Sequence, residues 1–196
     1  AKHDALGAGL SAVHVTHGIR SAEESAADLA FVRDLCAGLE IPLHIHHANV
    51  PARAAQTRET IEEAAREVRY EFFSQLIASG HADSILTAHT LDDQAETVLM
   101  KLLRGAWTEG LSGIHPVVLI NAASQNSSQR QGKVLRPFLA TRRAEIEAFL
   151  KQQNQPWRED QTNADTTYTR NRIRHELMPQ FRPYNPNPDQ TLANLA

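Results

Sequence analysis

The chain has 196 residues, of which 41% are hydrophobic, and this is sufficient for one ordinary domain with an apolar core. Its formal net charge of −3 argues against a generally basic surface, so any contact with nucleic acid must come from local patches. The single cysteine, Cys36, excludes internal disulfides and Cys-x-x-Cys motifs. No apolar stretch approaches the roughly 20 residues of a membrane span and no signal peptide is recognisable, so we expect a cytoplasmic protein without membrane contact.

Four elements are predicted in the first half of the chain. Short apolar and β-branched runs predict strands over Leu10–His17 and Ile41–His46. The segment Ser21–Glu24 has the capping-box pattern and begins a helix that carries Cys36 on its apolar face. A second helix is predicted from about Thr60 to Ser79, where apolar residues recur at helical spacing.

The second half continues the alternation of strands and helices. A buried strand is predicted over Ser84–Ala88, followed by a helix over Leu91–Arg104. The polar stretch Asn121–Lys133 is predicted as a flexible loop or hairpin tip, and Thr141 as the cap of a further helix. Tyr184–Pro188 reads as a break in the chain. The alternation predicts an α/β fold, with a mostly parallel sheet covered by helices on both faces.

Three acidic residues, Asp92, Asp93 and Glu96, crowd the start of the helix predicted over Leu91–Arg104. One interpretation is that carboxylates favour a helix N-terminus, where each contributes about 0.3–1 kcal/mol. Like charges at this spacing repel, however, and a divalent cation would relieve the repulsion. The carboxyl end of a strand is also where ligands bind in open α/β sheets. We therefore favour a magnesium–nucleotide site formed by these three carboxylates.

A second turn lies at the same predicted edge of the sheet. His17-Gly18-Ile19-Arg20 follows the first strand and precedes a capped helix, as His89 follows the strand over Ser84–Ala88. Gly18 permits a backbone angle that other residues disfavour. The segment is interpreted either as an ordinary turn with a solvated arginine or as part of a ligand site.

Charged and histidine clusters elsewhere have structural explanations. The helix over Thr60–Ser79 carries Arg66, Arg69 and Tyr70, and helical salt bridges with its glutamates, which include Glu62, Glu63 and Glu67, account for most of this charge. A zinc site is disfavoured for the histidines that follow the second strand, because no cysteine or acid lies at ligand spacing. These histidines are His44, His46 and His47.

Two basic patches are candidate contacts for RNA phosphates, which supply affinity without reading sequence. The first patch contains Arg136, Arg142 and Arg143. The second contains Arg170, Arg172 and Arg174 and lies behind a polar turn. Alternatively, either patch consists of solvated arginines at the start of a helix. The second patch is also consistent with a segment that closes over the active site.

Four stretches carry a resemblance to a known family. AHTLDDQAETVLMKLLRG resembles a signature of the N-type ATP pyrophosphatases, or PP-loop family. VHVTHGIR, AREVRYEFF and RPFLATRRAEIEAFL with WREDQTNADTTYTRNRIRHELMP agree, in order, with the lysidine synthetases of that family, which act on tRNA(Ile). The resemblance covers nearly the whole chain and implies an adenine nucleotide alpha hydrolase-like, Rossmann-like fold.

The resemblance also implies a reaction. Lysine is ligated to carbon 2 of the wobble cytidine of a tRNA(Ile) with a CAU anticodon, through an adenylated cytidine, giving lysidine, AMP and pyrophosphate. The implied cofactors are ATP and Mg²⁺, the implied partners are this tRNA and free L-lysine, and a homodimer is left open. Alternatives are another PP-loop tRNA-modifying enzyme, or a non-catalytic nucleotide- or RNA-binding remnant.

The resemblance implies roles only for those residues of this chain that match the family's motifs. Asp92, Asp93 and Glu96 are expected to organise magnesium or the lysine amine, and Arg69 to face developing phosphate charge. The residues expected near the nucleotide are His17, Gly18, Arg20 and His89.

The family's Ser-Gly-Gly-x-Asp-Ser phosphate loop is not found before His14, where the resemblance places it. Residues 1–182 are therefore expected to form a catalytic domain that lacks its first strand and phosphate loop, and that is inactive alone. Residues 183–196 are expected to begin a linker to C-terminal tRNA-binding parts.

Overall fold

A computed structural model describes residues 9–123 and 129–196. The described residues form two compact units, the first comprising residues 9–81 with residue 123, and the second comprising residues 82–122 and 129–196. Within the described residues, every helix is too short or too polar to cross a membrane.

The first unit pairs two parallel strands with three helices. Thr16 lies opposite His47 at the end of the strand ladder, and Ala12 lies opposite Leu43 at its start. The elements in chain order are β1 (Ala12–Thr16), α1 (Ala22–Gly38), β2 (Leu43–His47), α2 (Val50–Thr57) and α3 (Ile61–Ala78).

Local capping explains where the two long helices of this unit begin. The Ser21 hydroxyl accepts a hydrogen bond from the Glu24 amide, and the Glu24 carboxylate accepts one from the Ser21 amide, both at 3.2 Å. Thr60 and Glu63 repeat the arrangement at the start of α3. Cys36 is buried, as its place on the apolar face of α1 predicted. The predicted strands and helices of this half are therefore confirmed, with ends displaced by one to three residues.

The second unit contains a three-stranded sheet and a helical layer. The strands are β3 (Ser84–Leu86), β4 (Val117–Ala123) and β5 (Gln129–Leu135), in the order β3-β5-β4 with β3 parallel to β5. The helices are α4 (Leu91–Leu103), α5 (Arg143–Gln152), α6 (Thr169–Arg172), α7 (Met178–Phe181) and α8 (Pro188–Ala193).

The flexible loop predicted over Asn121–Lys133 is wrong at both ends, where the polar residues belong to β4 and β5. These consecutive strands are neighbours in the sheet, which agrees with the hairpin alternative. Lys133 lies opposite Ser84, and the neighbouring Val134 is fully buried. A strand with one solvated face needs apolar residues at alternate positions only, so its polar composition resembles that of a loop. The middle of the predicted loop, residues 124–128, lies outside the described residues.

Helix α4 is the centre of the helical layer. A π-helical turn over Ile173–Leu177 joins α6 to α7, so residues 169–181 form one helical rod. Ala95 and Leu99 of α4 pack with Ile173 and Met178 of this rod. Helix α8 also packs on α4. The second unit therefore continues past residue 182, the boundary at which the sequence predicted a linker to begin.

Candidate active site

The first turn of α4 is held by a reciprocal cap. The Thr90 amide and hydroxyl donate to Asp93 Oδ2 at 2.8 and 2.9 Å, and the Asp93 amide donates back to the hydroxyl at 3.4 Å. Thr90 and Asp93 therefore form a capping box at the start of α4. Just before it, His89 is half-buried and its Nδ1 is hydrogen-bonded with Thr87 Oγ1 at 3.0 Å.

Two arginines from the helical rod meet the carboxylates of α4. The Arg174 guanidinium donates to both oxygens of Glu96, with Nε–Oε1 at 2.6 Å and Nη2–Oε2 at 3.0 Å. Arg170 bridges the two acids, with Nε–Oε2 of Glu96 at 2.8 Å and Nη2–Oδ1 of Asp93 at 2.9 Å. We call these four side chains, Asp93, Glu96, Arg170 and Arg174, the charge network.

The charge network is largely removed from solvent. Glu96 is 2% exposed and Asp93 is 8% exposed. Burial alone would raise the pKa of Asp93, but hydrogen bonds from Thr90 and the charge of Arg170 outweigh it and hold the pKa below its usual value. Asp93 is therefore ionised at neutral pH and suits the role of a fixed negative charge better than that of a proton donor.

Asp92 takes a different position from the other two acids. Its Oδ2 accepts a hydrogen bond from the Arg143 amide at 2.8 Å, and the Leu91 amide donates to the Thr141 carbonyl at 2.9 Å. The starts of α4 and α5 therefore meet, and Asp92 caps α5 from the neighbouring helix. The prediction that Thr141 is the helix cap is wrong, because α5 begins two residues later and Arg142 is its N-cap residue.

We expect Asp92→Ala to lower the free energy of unfolding by about 1 kcal/mol, because the α5 amide loses its acceptor. Asp92→Asn keeps an oxygen in that position and should lose less. Urea unfolding followed by circular dichroism measures both changes. Equal losses in the two variants would show that the charge of Asp92 matters and its role as an acceptor does not.

The magnesium site predicted for Asp92, Asp93 and Glu96 does not fit this arrangement. Two guanidinium groups, rather than a metal ion, relieve the repulsion between Asp93 and Glu96. Across residues 9–123 and 129–196, no group of three or more His, Cys, Asp or Glu side chains is placed to hold a metal ion. The two arginines therefore remove the like-charge repulsion that was the reason for predicting magnesium. The sequence analysis had assigned them to a separate basic patch.

The helical rod holds its arginines in place through contacts behind them. The Asn171 side-chain amide is buried and donates to the carbonyls of Thr162 and Asp165 at 2.7 and 2.8 Å. His175 Nε2 donates to the Asn163 carbonyl at 2.8 Å. The polar turn before the rod is therefore folded onto it, and π-helical turns of this kind occur often at functional sites.

The predicted RNA-binding arginines separate into four groups. Arg136 is 4% exposed and donates to the His115 carbonyl, so burial removes it as a phosphate contact in this conformation. Arg142 pairs with the buried Asp189 of α8 at 3.2 Å. Arg170 and Arg174 belong to the charge network, which agrees with the alternative of closure over the site. The two exposed members of the patches are Arg143 and Arg172.

Two residues of α4 that the sequence analysis did not single out anchor the following loop. Gln94 Oε1 accepts a hydrogen bond from the Ile114 amide at 2.5 Å, and Lys101 donates to the Ser112 carbonyl. A side chain at Gly113 would collide with the Gln94 amide, because a Cβ there would lie 2.6 Å from Oε1. The glycine at position 113, where a side chain does not fit, is the signal in the sequence that could have indicated this contact.

In the first unit, the turn after β1 gathers positive side chains. Gly18 has φ +64°, and a Cβ there would lie 3.0 Å from the Ala48 carbonyl oxygen, which explains the glycine. Burial, and after it the positive charges of Arg69, His14 and Arg20, lower the pKa of His17 to about 4. Arg20 also pairs with Asp28 of α1 at 2.7 Å. The structure therefore brings three of the predicted ligand residues, His17, Arg20 and Arg69, into electrostatic reach of one another.

The depressed pKa of His17 predicts a pH dependence of stability. Between pH 6.5 and about 4 the unfolded chain binds a proton at this imidazole that the folded chain does not, so stability is present above pH 6.5 and lost as pH falls through this range. We expect His17→Asn to flatten the decline in urea-unfolding free energy between pH 7 and 4.5. The same substitution at exposed His81 is the control. Parallel curves for wild type and His17→Asn would contradict the assignment.

The other strand histidines contact neighbouring rings. His44 packs edge-on against His81 with ring centroids 5.3 Å apart, and His46 stacks on Phe72 at 4.8 Å. His47 is hydrogen-bonded through Nδ1 with Thr16 Oγ1 at 2.8 Å. These contacts support the structural interpretation of the three histidines.

Parallel strands followed directly by capped helices, with charged side chains at the carboxyl ends of the strands, are typical of nucleotide-binding α/β proteins. Residues 2–181 match a family model described as a PP-loop domain. The chain belongs to the PP-loop family, and membership implies the use of ATP. The predicted Rossmann-like α/β class is thereby confirmed.

Similar proteins extend the comparison. The chain is 40% identical over 188 residues to a tRNA(Ile)-lysidine synthase of Solibacter usitatus, covering 95% of this chain and 38% of that protein. It is 42% identical over 193 residues to one of Deinococcus radiodurans, covering 98% of this chain and 30% of that protein. The chain therefore spans less than half the length of these relatives.

A solved structure supports the fold. The U34-tRNA thiolase NcsA of Methanococcus maripaludis, described with its [4Fe-4S] cluster, aligns over 95% of this chain and 60% of its own, with a TM-score of 0.66. At a sequence identity of 14%, this similarity shows a shared fold only.

Proposed function

We propose that this chain is the catalytic PP-loop domain of an enzyme that ligates L-lysine to carbon 2 of the wobble cytidine of a tRNA(Ile) with a CAU anticodon. Identity near 40% to proteins named tRNA(Ile)-lysidine synthase, over at least 95% of the chain in two of them, supports this function. The observation that carries it is the charge network. It joins the segment AHTLDDQAET to YTRNRIRH, two of the stretches that resemble the lysidine synthetases.

The reaction has two steps. In the first, oxygen 2 of the cytosine attacks the α-phosphorus of ATP, and pyrophosphate leaves with the electron pair of the broken P–O bond. In the second, the lysine amine, having lost a proton, attacks carbon 2, and AMP leaves with the cytosine oxygen. Both steps depend on positioning and on stabilising negative charge that develops on phosphate oxygens.

The residues of this chain have distinct proposed roles. Asp93 and Glu96, both ionic partners of arginine, hold the protonated lysine amine before it reacts. Arg69 faces the phosphate charge, since its planar and permanently charged fork suits phosphate oxygens. The turn at His17, Gly18 and Arg20 lies by the nucleotide in this proposal, as does His89. The exposed arginines Arg143 and Arg172 are the remaining candidates for contact with tRNA phosphates.

Asp92 accepts a hydrogen bond from the Arg143 amide at the start of α5, so this proposal gives Asp92 no part in the chemistry. No step is assigned to magnesium, because the three acids do not form a site for it in this structure. The proposed location remains cytoplasmic, with tRNA and L-lysine as partners.

Another PP-loop tRNA-modifying enzyme is the second candidate, favoured by the fold of the thiolase neighbour. Thiolases of the two-thiocytidine type need cysteines, and this sequence has one, Cys36, which is buried in α1. A non-catalytic nucleotide- or RNA-binding protein is the third candidate.

The test uses the full-length protein with a tRNA(Ile) transcript carrying the CAU anticodon, ATP and L-lysine. Mass spectrometry of the digested nucleosides should show lysidine at the wobble position, with pyrophosphate released when ATP and the tRNA are present and AMP released only when L-lysine is added as well. A thiolated nucleoside, formed in a parallel reaction that contains a sulfide donor in place of L-lysine, would support the second candidate. ATP or RNA binding without any modified nucleoside would support the third.

A further inference from the structure

The charge network is electrically balanced and fully hydrogen-bonded. Two carboxylates face two guanidinium groups, so its formal charges sum to zero. Glu96 receives donors on both oxygens, and Asp93 receives Thr90 on one oxygen and Arg170 on the other. A cation that binds these carboxylates must therefore take the place of a guanidinium.

Displacing the arginines has a cost that a second ligand can offset. The side chains of Arg170 and Arg174 are 27% and 22% exposed, so most of each is covered by protein. A guanidinium that loses its carboxylate in such a place is a poorly compensated charge, which is strongly unfavourable. Its planar fork matches the oxygens of phosphate as well as those of carboxylate. An anion beside the rod would therefore lower the cost of admitting a cation at α4.

The contacts of the helical rod allow Arg170 and Arg174 to exchange hydrogen-bond partners without movement of the helix backbone. Asn171 and His175 attach the backbone to the turn behind it, on contacts that the charge network does not use. The arginine side chains can then change partner by rotamer changes while the helix stays in place. The π-helical turn between them is a feature found often where helices serve a function.

We propose that the charge network couples the two ligand classes of the ligation reaction, so that an amine on Asp93 and Glu96 releases Arg170 and Arg174 to bind phosphate oxygens. This inference rests on the proposed function for the identity of the ligands. Binding of L-lysine and binding of a polyphosphate then promote each other. By thermodynamic linkage, each ligand must tighten the other by the same factor.

Isothermal titration calorimetry of the full-length protein tests the coupling, with inorganic pyrophosphate and L-lysine as probes. We expect saturating L-lysine to tighten pyrophosphate about tenfold, which corresponds to about 1.4 kcal/mol, and pyrophosphate to tighten L-lysine equally. L-Norleucine, which lacks the side-chain ammonium, should not tighten pyrophosphate. Independent or competitive binding of L-lysine and pyrophosphate would overturn the inference.

Variants locate the coupling. Arg174→Gln should abolish the mutual tightening, whereas Arg182→Gln, at an exposed position after α7, should leave it unchanged. If Arg174→Gln unfolds, Arg174→Lys provides the second variant, because it keeps the charge but loses the two-point contact with Glu96 and should reduce the coupling. Coupling that persists in a folded Arg174 variant would overturn the assignment.

The two proposals fail in different ways. Lysidine formation with independent binding of L-lysine and pyrophosphate would retain the proposed function and remove the coupling. Coupled binding without lysidine formation would retain the coupling and remove the proposed reaction.

Discussion

Glu96→Ala is expected to lower the free energy of unfolding by about 3–5 kcal/mol, because it leaves two largely covered guanidinium groups without their shared carboxylate. Glu96 is 2% exposed, so water cannot replace the lost acceptor without opening the packing of α4. Urea unfolding followed by circular dichroism measures the loss. The Ala substitution of Arg104, an exposed residue at the C-terminal end of α4, is the control and should change stability by less than about 0.5 kcal/mol.

A rescue variant separates charge imbalance from lost packing. Combining Glu96→Leu and Asp93→Asn with Arg170→Met and Arg174→Met removes both signs of charge, keeps apolar volume and leaves Thr90 its acceptor. This combination should regain most of the stability, as replacement of buried ion pairs by apolar residues often does. A loss below about 1 kcal/mol in Glu96→Ala would show that the ion pairs contribute little to the folded state.

Asp93→Asn is expected to lower kcat/KM for lysidine formation about 10²–10³-fold in the full-length enzyme, because a positioned charge is removed from the reacting site. The asparagine oxygen can still accept from Thr90, so the capping box of α4 survives and the fold is retained. Nucleoside mass spectrometry gives the rate, and circular dichroism checks the fold.

Thr90→Ala is the matched control for this prediction. It removes the cap at a cost of about 1 kcal/mol in stability but leaves the charge of Asp93, and should retain most activity. Near-normal turnover in Asp93→Asn would remove Asp93 from the mechanism. A similar loss of activity in both variants would indicate that the helix start, rather than the charge, limits the reaction.

Local signals predicted most of the secondary structure. The capping box begun by Ser21 lies where the sequence pattern places it, because a cap depends on residues three positions apart, and Thr60 and Thr90 begin two more of the same kind. Polar strands carry a weaker local signal, since their identity depends on pairing with a distant strand. The polar ends of β4 and β5 therefore fall within the range predicted as a loop or hairpin tip.

Local sequence patterns could not predict which residues pair with the acidic residues at the start of α4. Arg170 lies 74 residues from Glu96 in the chain, and neither periodicity nor propensity measures such a distance. The sequence indicated that the charge of the acids needs compensation, and the structure provides it for Asp93 and Glu96 through two arginines. Arg136 was misassigned for a related reason, because no local pattern distinguishes a buried arginine from a solvated one.

The packing of α8 on α4 has a practical consequence for anyone shortening the protein. The family match ends at residue 181, which makes that position an inviting place to truncate. A chain cut there would uncover apolar surface on α4 and deprive Arg142 of Asp189. A shortened piece of the protein should therefore retain the residues through Ala196, so that low solubility after trimming is not mistaken for an intrinsic property of the domain.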